Sequence, residues 1–240
     1  MTDNHTAGHA YEGSDLEVLG QMRRYYDWIV RFFRPHLGGH VIEYGAGAGS
    51  ISERLLPFAD RLDLVEPAAN LAELLRARFA DEPRITVQHA LLEQYVDGLP
   101  PASVDAQVLV NVLEHVRDDD HALAGLFRAT APGGHLLLFV PALRALMSEL
   151  DRQHGHFRRY HRDELAAQVR RAGFEVVDAR YVDMIGVVPW LVFNTWMGQT
   201  EFKPRMIRFY DRFVHPVTEM IESVLPTPFG KNVVVLARRP

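Results

Sequence analysis

The chain has 240 residues, 48% of them hydrophobic and 24% charged, which suits one large domain or a domain with an appended subdomain. A formal net charge of −5 with scattered basic residues gives no footprint for nucleic acid, and the absence of cysteine excludes disulfides, thiol nucleophiles and cysteine-based zinc sites. Residues 1–13 lack the apolar core of a signal peptide, and the longest mostly apolar run, Met184–Met197, is shorter than the roughly 20 residues of a membrane span, so we expect a cytoplasmic protein.

The N-terminal part of the chain predicts one helix after a polar segment. We expect residues 1–13 to be disordered because they contain few apolar residues. Ser14–Glu17 has the form of a capping box, and apolar residues at helical spacing follow it, so a lid helix is predicted over residues 14–35. Its aromatic face either packs into the core or covers a bound ligand, in which case Tyr25 and Tyr26 are candidate substrate contacts.

A glycine-rich turn follows the first predicted strand, His40–Tyr44. The alternating glycines of Gly45–Gly49 let the backbone turn tightly and let a ligand approach the amide groups, and the next helix offers free N–H groups at its start. A dinucleotide fingerprint would need a glycine at Ser50. Glu43, just before the turn, would repel a pyrophosphate but attract the ammonium group of an amino-acid moiety.

Strands and helices alternate along the chain as far as residue 140. Further strands are predicted over Arg61–Val65, Ile85–His89, Val104–Val110 and His135–Val140, with helices of about 50–57, 70–80 and 120–130 between them and Pro132-Gly133-Gly134 as a turn before the fifth strand. A helix over 162–172, a strand over Phe174–Tyr181 and a last strand over Asn232–Ala237 follow. The alternation predicts a parallel sheet with helices on both faces, in which ligands bind outside the carboxyl ends of the strands.

Three further stretches fall at that edge of the predicted sheet. Glu66 ends the second strand, where an acid can accept both ribose hydroxyls of a nucleoside. Ala90 and Leu91 follow the third strand and are placed to border an adenine ring, and Asn111–His115 follows the fourth. We therefore expect a nucleoside-containing ligand across these strand ends.

The pattern changes in residues 182–230, which are rich in Met, Trp, Phe and Pro and contain helical stretches at about 187–198 and 204–224. The segment is too long for a plain loop, so we predict a helical cover over the substrate side of the sheet. Its apolar residues, Trp190 among them, either pack on the sheet, line a pocket for an aromatic or lipid-like molecule, or form a patch for dimerisation or for a membrane surface. The sequence leaves these alternatives open.

With these residues in hand, the chain resembles class I S-adenosylmethionine (SAM)-dependent methyltransferases over about residues 20–240. The resemblance is carried by Glu43-x-Gly45-x-Gly47-x-Gly49, Glu66, Asn111-Val112-Leu113-Glu114-His115 and Pro132-Gly133-Gly134. The segment Gly155-His156-Phe157-Arg158-Arg159-Tyr160 is similar to one of a narrower bacterial subfamily. The resemblance implies an α/β, Rossmann-like domain over residues 14–240, with seven mostly parallel strands, an antiparallel last strand and a helical insertion before it.

The resemblance also implies how SAM, which would leave as S-adenosylhomocysteine, is held. The methionine portion would face Glu43, Gly45, Ala46, Gly47 and Gly49. The ribose would contact Glu66 and Pro67, and the adenine would lie beside Ala90 and Leu91. Asn111 and Val112 would form the floor of the site near the methionine end. His89 stands where many relatives have an aspartate.

Methyl transfer is an in-line displacement at an activated carbon, so the protein must mainly align the acceptor and exclude water. A general base is needed only for a hydroxyl or a protonated amine, and histidine suits that role. The candidate catalytic residues are His115, His154 and His156, and the candidate acceptor contacts are Tyr25, Tyr26, Arg158, Tyr160 and Trp190. Alternatively, the arginines pair with acids such as Asp151 and Glu164 to hold the loop. No metal-helix spacing is present, so we expect no metal.

The predicted function is methyl transfer from SAM to oxygen or nitrogen of a small, fairly apolar molecule, aromatic or natural-product-like. The alternatives are a methyltransferase for a membrane-associated lipid or glycolipid, an NAD(P)-dependent oxidoreductase, and a non-enzymatic SAM-binding protein. We expect a small-molecule partner and no nucleic acid. Contact with a membrane surface and the choice between monomer and homodimer stay open.

Overall fold

The computed structural model describes Tyr11, residues 18–201 and residues 203–240. Seven strands form one sheet in the order β3-β2-β1-β4-β5-β7-β6. They are β1 (His40–Tyr44), β2 (Arg61–Glu66), β3 (Ile85–His89), β4 (Val104–Val110), β5 (Thr130–Pro141), β6 (Glu175–Val182) and β7 (Asn232–Arg238). Neighbouring strands run parallel from β3 to β5, and β7 runs antiparallel to both β5 and β6. The predicted fold class is confirmed.

The helices cover both faces of this sheet. They are α1 (Arg23–Phe33), α2 (Ser52–Leu55), α3 (Ala69–Arg78), α4 (Leu92–Gly98), α5 (Asp119–Ala129), α6 (Glu149–Gln153) and α7 (Arg162–Arg171). The insertion adds α8 (Val187–Pro189), a π-helix Trp190–Trp196, α9 (Pro204–Phe209), a second π-helix Tyr210–Val214 and α10 (His215–Val224). Among the described residues, we find no helix with the length and apolarity needed to cross a membrane.

The core lies in two layers, one on each face of the sheet. Consecutive strand residues point to opposite faces, so Ile42 enters one apolar cluster and Val41 the other, as do Leu138 and Phe139. Both faces are covered, which is why these strands read as nearly continuous apolar runs.

Several element bounds differ from the predicted ones. Pro132–Gly134 is a bulge inside β5 rather than a turn before it: β5 begins at Thr130, and its pairing with β4 jumps there. Neither α4 nor α6 was predicted; both are short, and α6 begins with a capping box of Ser148 and Asp151. The predicted capping box Ser14–Glu17 and the segment 1–13 lie outside the described residues, apart from Tyr11.

A buried polar network joins the insertion to the sheet. Asp183, fully buried and with a left-handed φ of 63°, forms an ion pair of 2.8 Å with Lys231 at the start of β7. The Tyr25 hydroxyl from α1 lies 3.1 Å from the same carboxylate, and the Tyr210 hydroxyl donates to it as well. The attraction of Lys231 and these donors hold the pKa of Asp183 below its usual range against the opposing effect of burial.

Candidate active site

One cavity of about 1250 Å³ opens at the carboxyl ends of β1, β2, β3 and β4. Its walls come from three parts of the chain: the strand ends, the segment after β5 and the insertion. Ligands of open α/β sheets bind at this edge, where the loops leave the strands. The cavity is therefore the candidate active site.

The glycine turn after β1 is shaped by its neighbours. Gly45 has a φ of 66°, and a Cβ there would lie 2.5 Å from Val112 Cγ2, so only glycine fits without strain. Gly49 does not line the cavity; a Cβ there would lie 2.9 Å from the Phe79 ring of α3. Gly49 therefore packs the turn against the end of α3, and its predicted contact with the cofactor stays a prediction.

The carboxylate of Glu66 is fixed by the backbone on both sides of it. Its Oε2 accepts a 2.7 Å hydrogen bond from the Gly47 N–H and its Oε1 a 2.9 Å bond from the Ala68 N–H. Burial raises the pKa of Glu66, and these two donors oppose that rise. Because each carboxylate oxygen can accept a second bond, both retain capacity for hydroxyl groups.

Glu43 is the least satisfied acid among the cavity-lining residues. It is 2% exposed, and its Oε2 is buried without a hydrogen-bond partner. Burial raises its pKa to about 8, and the negative charge of Glu66 contributes to the rise. An unpaired charge on a buried carboxylate is costly, so a bound cation would stabilise the charged form of Glu43.

The other residues predicted to contact the cofactor all line the cavity. They are Glu43, Gly45, Ala46, Gly47, Glu66, Pro67, Ala90, Leu91, Asn111 and Val112. His89 holds the neighbouring loop instead, with Nε2 3.1 Å from the Pro67 carbonyl oxygen.

Three histidines form one wall of the cavity: His115 after β4, and His154 and His156 after α6. The rings of His115 and His156 stand perpendicular with centroids 4.6 Å apart. His156 Nδ1 lies 2.9 Å from Oδ1 of the buried Asp151. All three predicted catalytic residues are thus brought together.

Two predicted acceptor contacts do not line the cavity. Arg158 lies 2.5 Å from Asp119, at the N-terminus of α5, and the Tyr160 hydroxyl is 2.9 Å from the same residue. Tyr160 is 5% exposed, and burial followed by the charge of Asp119 raises its pKa strongly. Arg158 and Tyr160 both hold the loop after α6 against α5, and their predicted contact with the acceptor stays a prediction.

The neighbouring Arg159 is held by an acid, as the alternative for this loop proposed. Its Nη2 lies 2.8 Å from Asp151 Oδ1, and both side chains are buried. Burial raises the pKa of Asp151, but the close contacts with His156 and Arg159 hold it well below its usual range. Asp151 therefore carries a negative charge directly behind the histidine wall.

A family model described as a methyltransferase domain matches residues 18–179. The chain belongs to the class I SAM-dependent methyltransferase family. In fold it is similar to a SAM-dependent methyltransferase from Mesorhizobium loti, with a TM-score of 0.61 and 17% identity over 89% of this chain and 98% of that one.

Three curated relatives match parts of this methyltransferase. A probable SAM-dependent methyltransferase of Mycolicibacterium smegmatis is 31% identical over 59% of this chain and 54% of its own length. A ubiquinone biosynthesis O-methyltransferase of Methylocella silvestris is 30% identical over 46% and 42%. A probable ribosomal RNA small subunit methyltransferase A of Halobacterium salinarum is 42% identical over 28% and 21%. The chain thus spans about half, or less, of the relatives it matches.

The residues of this methyltransferase fit SAM, the cofactor of its family. The unpartnered Oε2 of Glu43 offers a negative charge for the ammonium of the methionine portion, and Glu66 has acceptors left for the ribose. The space beside Gly45, which a Cβ would fill, lets a ligand approach the backbone.

The cavity wall beside α1 and the insertion contains residues that the sequence analysis did not single out. Tyr25, Tyr26 and Trp190 line the cavity as predicted, but so do Lys231 and Arg159. Lys231 Nζ lies 5.4–5.7 Å from the ring centroids of Tyr25, Trp190 and Tyr210. The sequence contains one indication that Lys231 is unusual, because it is one of only two lysines among the 26 basic residues.

Proposed function

We propose that this chain transfers the methyl group of SAM to oxygen or nitrogen of a small, fairly apolar molecule. The observation that carries the proposal is a single cavity with two unlike walls. Glu43 and Glu66 lie on one side, and aromatic and aliphatic residues on the other, among them Tyr25, Tyr26 and Trp190. Because its volume of about 1250 Å³ exceeds the roughly 300–1,000 Å³ of most ligand pockets, it has room for two molecules.

Each wall has a distinct task in this proposal. SAM supplies the activated methyl group when it is bound. Glu43 holds its ammonium group and Glu66 its ribose, while Trp190 and the tyrosines exclude water and align the acceptor. His115 or His156 takes the proton of an acceptor hydroxyl or ammonium, if the acceptor carries one.

The test uses SAM labelled on its methyl group, purified protein and an extract of the source cells, followed by separation of organic and aqueous phases. With SAM well below saturation we expect label in the organic phase with the wild type and far less with Glu66→Ala, whereas Glu53→Ala, which changes an exposed acid on α2, should behave as wild type. Label found only in the aqueous phase contradicts an apolar acceptor. No label, together with no SAM binding by calorimetry, contradicts the enzyme class.

A second candidate acceptor is a membrane-associated lipid, and one surface of the insertion favours it. We define the amphipathic surface as two of its exposed large apolar residues together with the exposed arginines beside them. The apolar members are Phe209 and Phe213, and the arginines, which line the same shallow groove, are Arg23, Arg24, Arg205, Arg208 and Arg212.

The positive charge of this amphipathic surface favours binding to a bilayer that contains anionic lipids. Phe209 and Phe213 are 59% and 55% exposed, and the arginines surround them although the whole chain carries −5. Aromatic residues beside arginines are typical of helices that lie in the membrane interface, and each arginine adds about 1 kcal/mol near anionic lipid. α9 also lines the cavity through Met206 and Ile207, so the same helix borders both the site and this surface.

Vesicle co-sedimentation tests the second candidate. We expect binding to phosphatidylcholine vesicles that contain phosphatidylglycerol, weaker binding in high salt, and loss of binding in Phe209→Ser/Phe213→Ser. The control Leu74→Ser changes an equally large exposed residue on α3 and should bind normally. Equal binding of all three proteins, or none by the wild type, contradicts docking on an anionic membrane.

A further inference from the structure

One group of metal-ligating side chains lies beside the cavity. The ligand atoms of Glu114, His115 and His156 all lie within 4.8 Å of one another. Glu114 and His115 belong to the short turn after β4, and the Phe157 N–H donates a 2.9 Å hydrogen bond to the Glu114 carbonyl oxygen. The backbone thus fixes the His156 segment against that turn, although the two are separated by some 40 residues in the sequence.

Glu114 supplies a second, independent observation. It is fully buried, and neither of its carboxylate oxygens has a hydrogen-bond partner. Arg159, whose charge acts on Glu114, is engaged by Asp151 and by the Ala142 carbonyl oxygen. Buried carboxylates are almost always paired or bound to a metal, so this side chain lacks the partner that its burial requires.

We propose that Glu114, His115 and His156 bind one divalent transition-metal ion at the wall of the cavity. Two imidazoles and one carboxylate are the donor set of open zinc and non-haem iron sites, whereas magnesium prefers oxygen ligands alone. Metal–ligand bonds of about 2.1 Å place ligand atoms roughly 3.4 Å apart in a tetrahedral site, so small side-chain rotations suffice.

The surroundings of His156 fit a metal ligand. Asp151 Oδ1 lies 2.9 Å from Nδ1 but outside hydrogen-bond geometry, and this carboxylate would pair with the ring if Nε2 bound the ion. A carboxylate behind a ligating histidine fixes its orientation and strengthens the bond to the metal. His115 and His156 line the cavity and Glu114 does not, so the open positions of the ion would face the cavity.

This assignment deepens the proposed function, on which its catalytic meaning rests. An ion here would hold the acceptor oxygen or nitrogen at the cavity wall. His115 and His156 would then act as ligands and could not serve as general bases. No metal-helix spacing in the sequence indicates this site, because the third ligand comes from a distant segment.

Cobalt(II) is the probe, because its visible absorption reports the coordination of the ion. The protein is freed of metal by a chelator, titrated with Co²⁺ and then with Zn²⁺. We expect the wild type to bind one Co²⁺ per chain and to release it to zinc. Glu114→Gln and His156→Ala should weaken binding at least tenfold. His154→Ala, in the same loop but outside the group, should bind as the wild type does.

SAM binding by calorimetry separates loss of metal from loss of fold and from failure of the proposed function. Variants that bind SAM but no cobalt support the site. If Glu114→Gln does not fold, His156→Ala decides, since His156 lies at the cavity wall. A wild type that takes up no cobalt, or ligand variants that keep it, overturns the metal site, and labelled methyl transfer by that same wild type leaves the proposed function standing.

Discussion

The two sides of the cavity are built in different ways. On the cofactor side, the Gly47–Glu66 hydrogen bond joins residues 19 positions apart, at the ends of adjacent parallel strands. On the acceptor side, Tyr25 contacts Asp183 and Asn232, which are 158 and 207 positions away. The first side follows from the strand order of the sheet. The second depends on distant segments meeting, so its residues can change without altering the cofactor side.

The largest expected effect is on the acceptor side. Asp183→Asn keeps the shape of the side chain and leaves Lys231 without its buried partner, which typically costs about 3–5 kcal/mol of unfolding free energy. We expect urea denaturation to show such a loss while the Kd for SAM changes less than about twofold. Asp178→Asn, which breaks an exposed pair on β6, should cost at most about 1 kcal/mol. A large loss of SAM affinity in Asp183→Asn would show that the two sides are coupled.

The next largest effect is on the cofactor side. Glu66→Ala removes the acceptor of two backbone bonds and, in the proposed function, of bonds from the ribose hydroxyls. Hydrogen bonds to charged groups contribute about 1.5–3 kcal/mol each, so we expect the Kd for SAM to rise about 100-fold in calorimetry. The KM for the acceptor at saturating SAM should stay near the wild-type value. An unchanged Kd would remove Glu66 from the binding site.

A smaller effect tests the glycine turn. Gly45→Ala places a methyl group against Val112 at a φ of 66°, and we expect a loss of about 1–3 kcal/mol in unfolding free energy. The double variant Gly45→Ala/Val112→Ala should regain the unfolding free energy lost through the clash with Val112, but not the unfolding free energy lost through the left-handed φ. Gly38→Ala, where nothing lies within 4 Å, is the matched control and should change stability little. Additive losses in the double variant would contradict the contact.

The smallest effect at neutral pH concerns Glu43. Its pKa of about 8 means that it is mostly protonated at pH 7, and a bound ammonium favours the charged form. Binding should release a proton, so SAM affinity should rise by up to about tenfold per pH unit below pH 8 and level off above it. Glu43→Gln should abolish this slope.

The same pKa predicts the opposite trend for the unliganded fold. Since the folded pKa lies above the unfolded value, the stability associated with protonated Glu43 is fully present below about pH 4.5 and is lost as the pH rises to 8. Glu43→Gln should therefore be more stable than wild type at pH 8 and alike at pH 4. Parallel stability curves for the two proteins would contradict burial of a charge.

Much of the fold could be predicted because local patterns determine it. β1, β3 and β4 have the predicted bounds, since each follows a glycine or proline break and contains Val or Ile. The bulge in β5 could not be predicted from Pro132–Gly134, because proline and glycine indicate a turn as readily as a bulge. Helix α4 was missed because seven residues give too little periodicity.

The positions of the site residues were also predictable where local patterns determine them and unpredictable where distant segments meet. Glu43 and Glu66 sit at strand ends, so their places followed from the sheet, while their roles stay predictions. Arg158 was predicted to contact the acceptor, but its side chain pairs with Asp119 of α5. This pairing could not be predicted, because Asp119 is 39 residues earlier in the chain and no local pattern indicates the contact. The burial of Glu114 has the same cause, since the segment that covers it comes from beyond β5.

The position of β7 has a consequence for the order in which the chain folds. β7 lies between β5 and β6, and it is the last strand along the chain, so β6 joins the sheet only when β7 has entered the gap. β1 to β5 can pair as soon as they leave the ribosome, whereas Lys231, which directly precedes β7, follows β5 by about 90 residues. During synthesis the cofactor side can therefore form while the acceptor side waits for Lys231 and β7, and the open edge of β5 is exposed to wrong pairing for that interval.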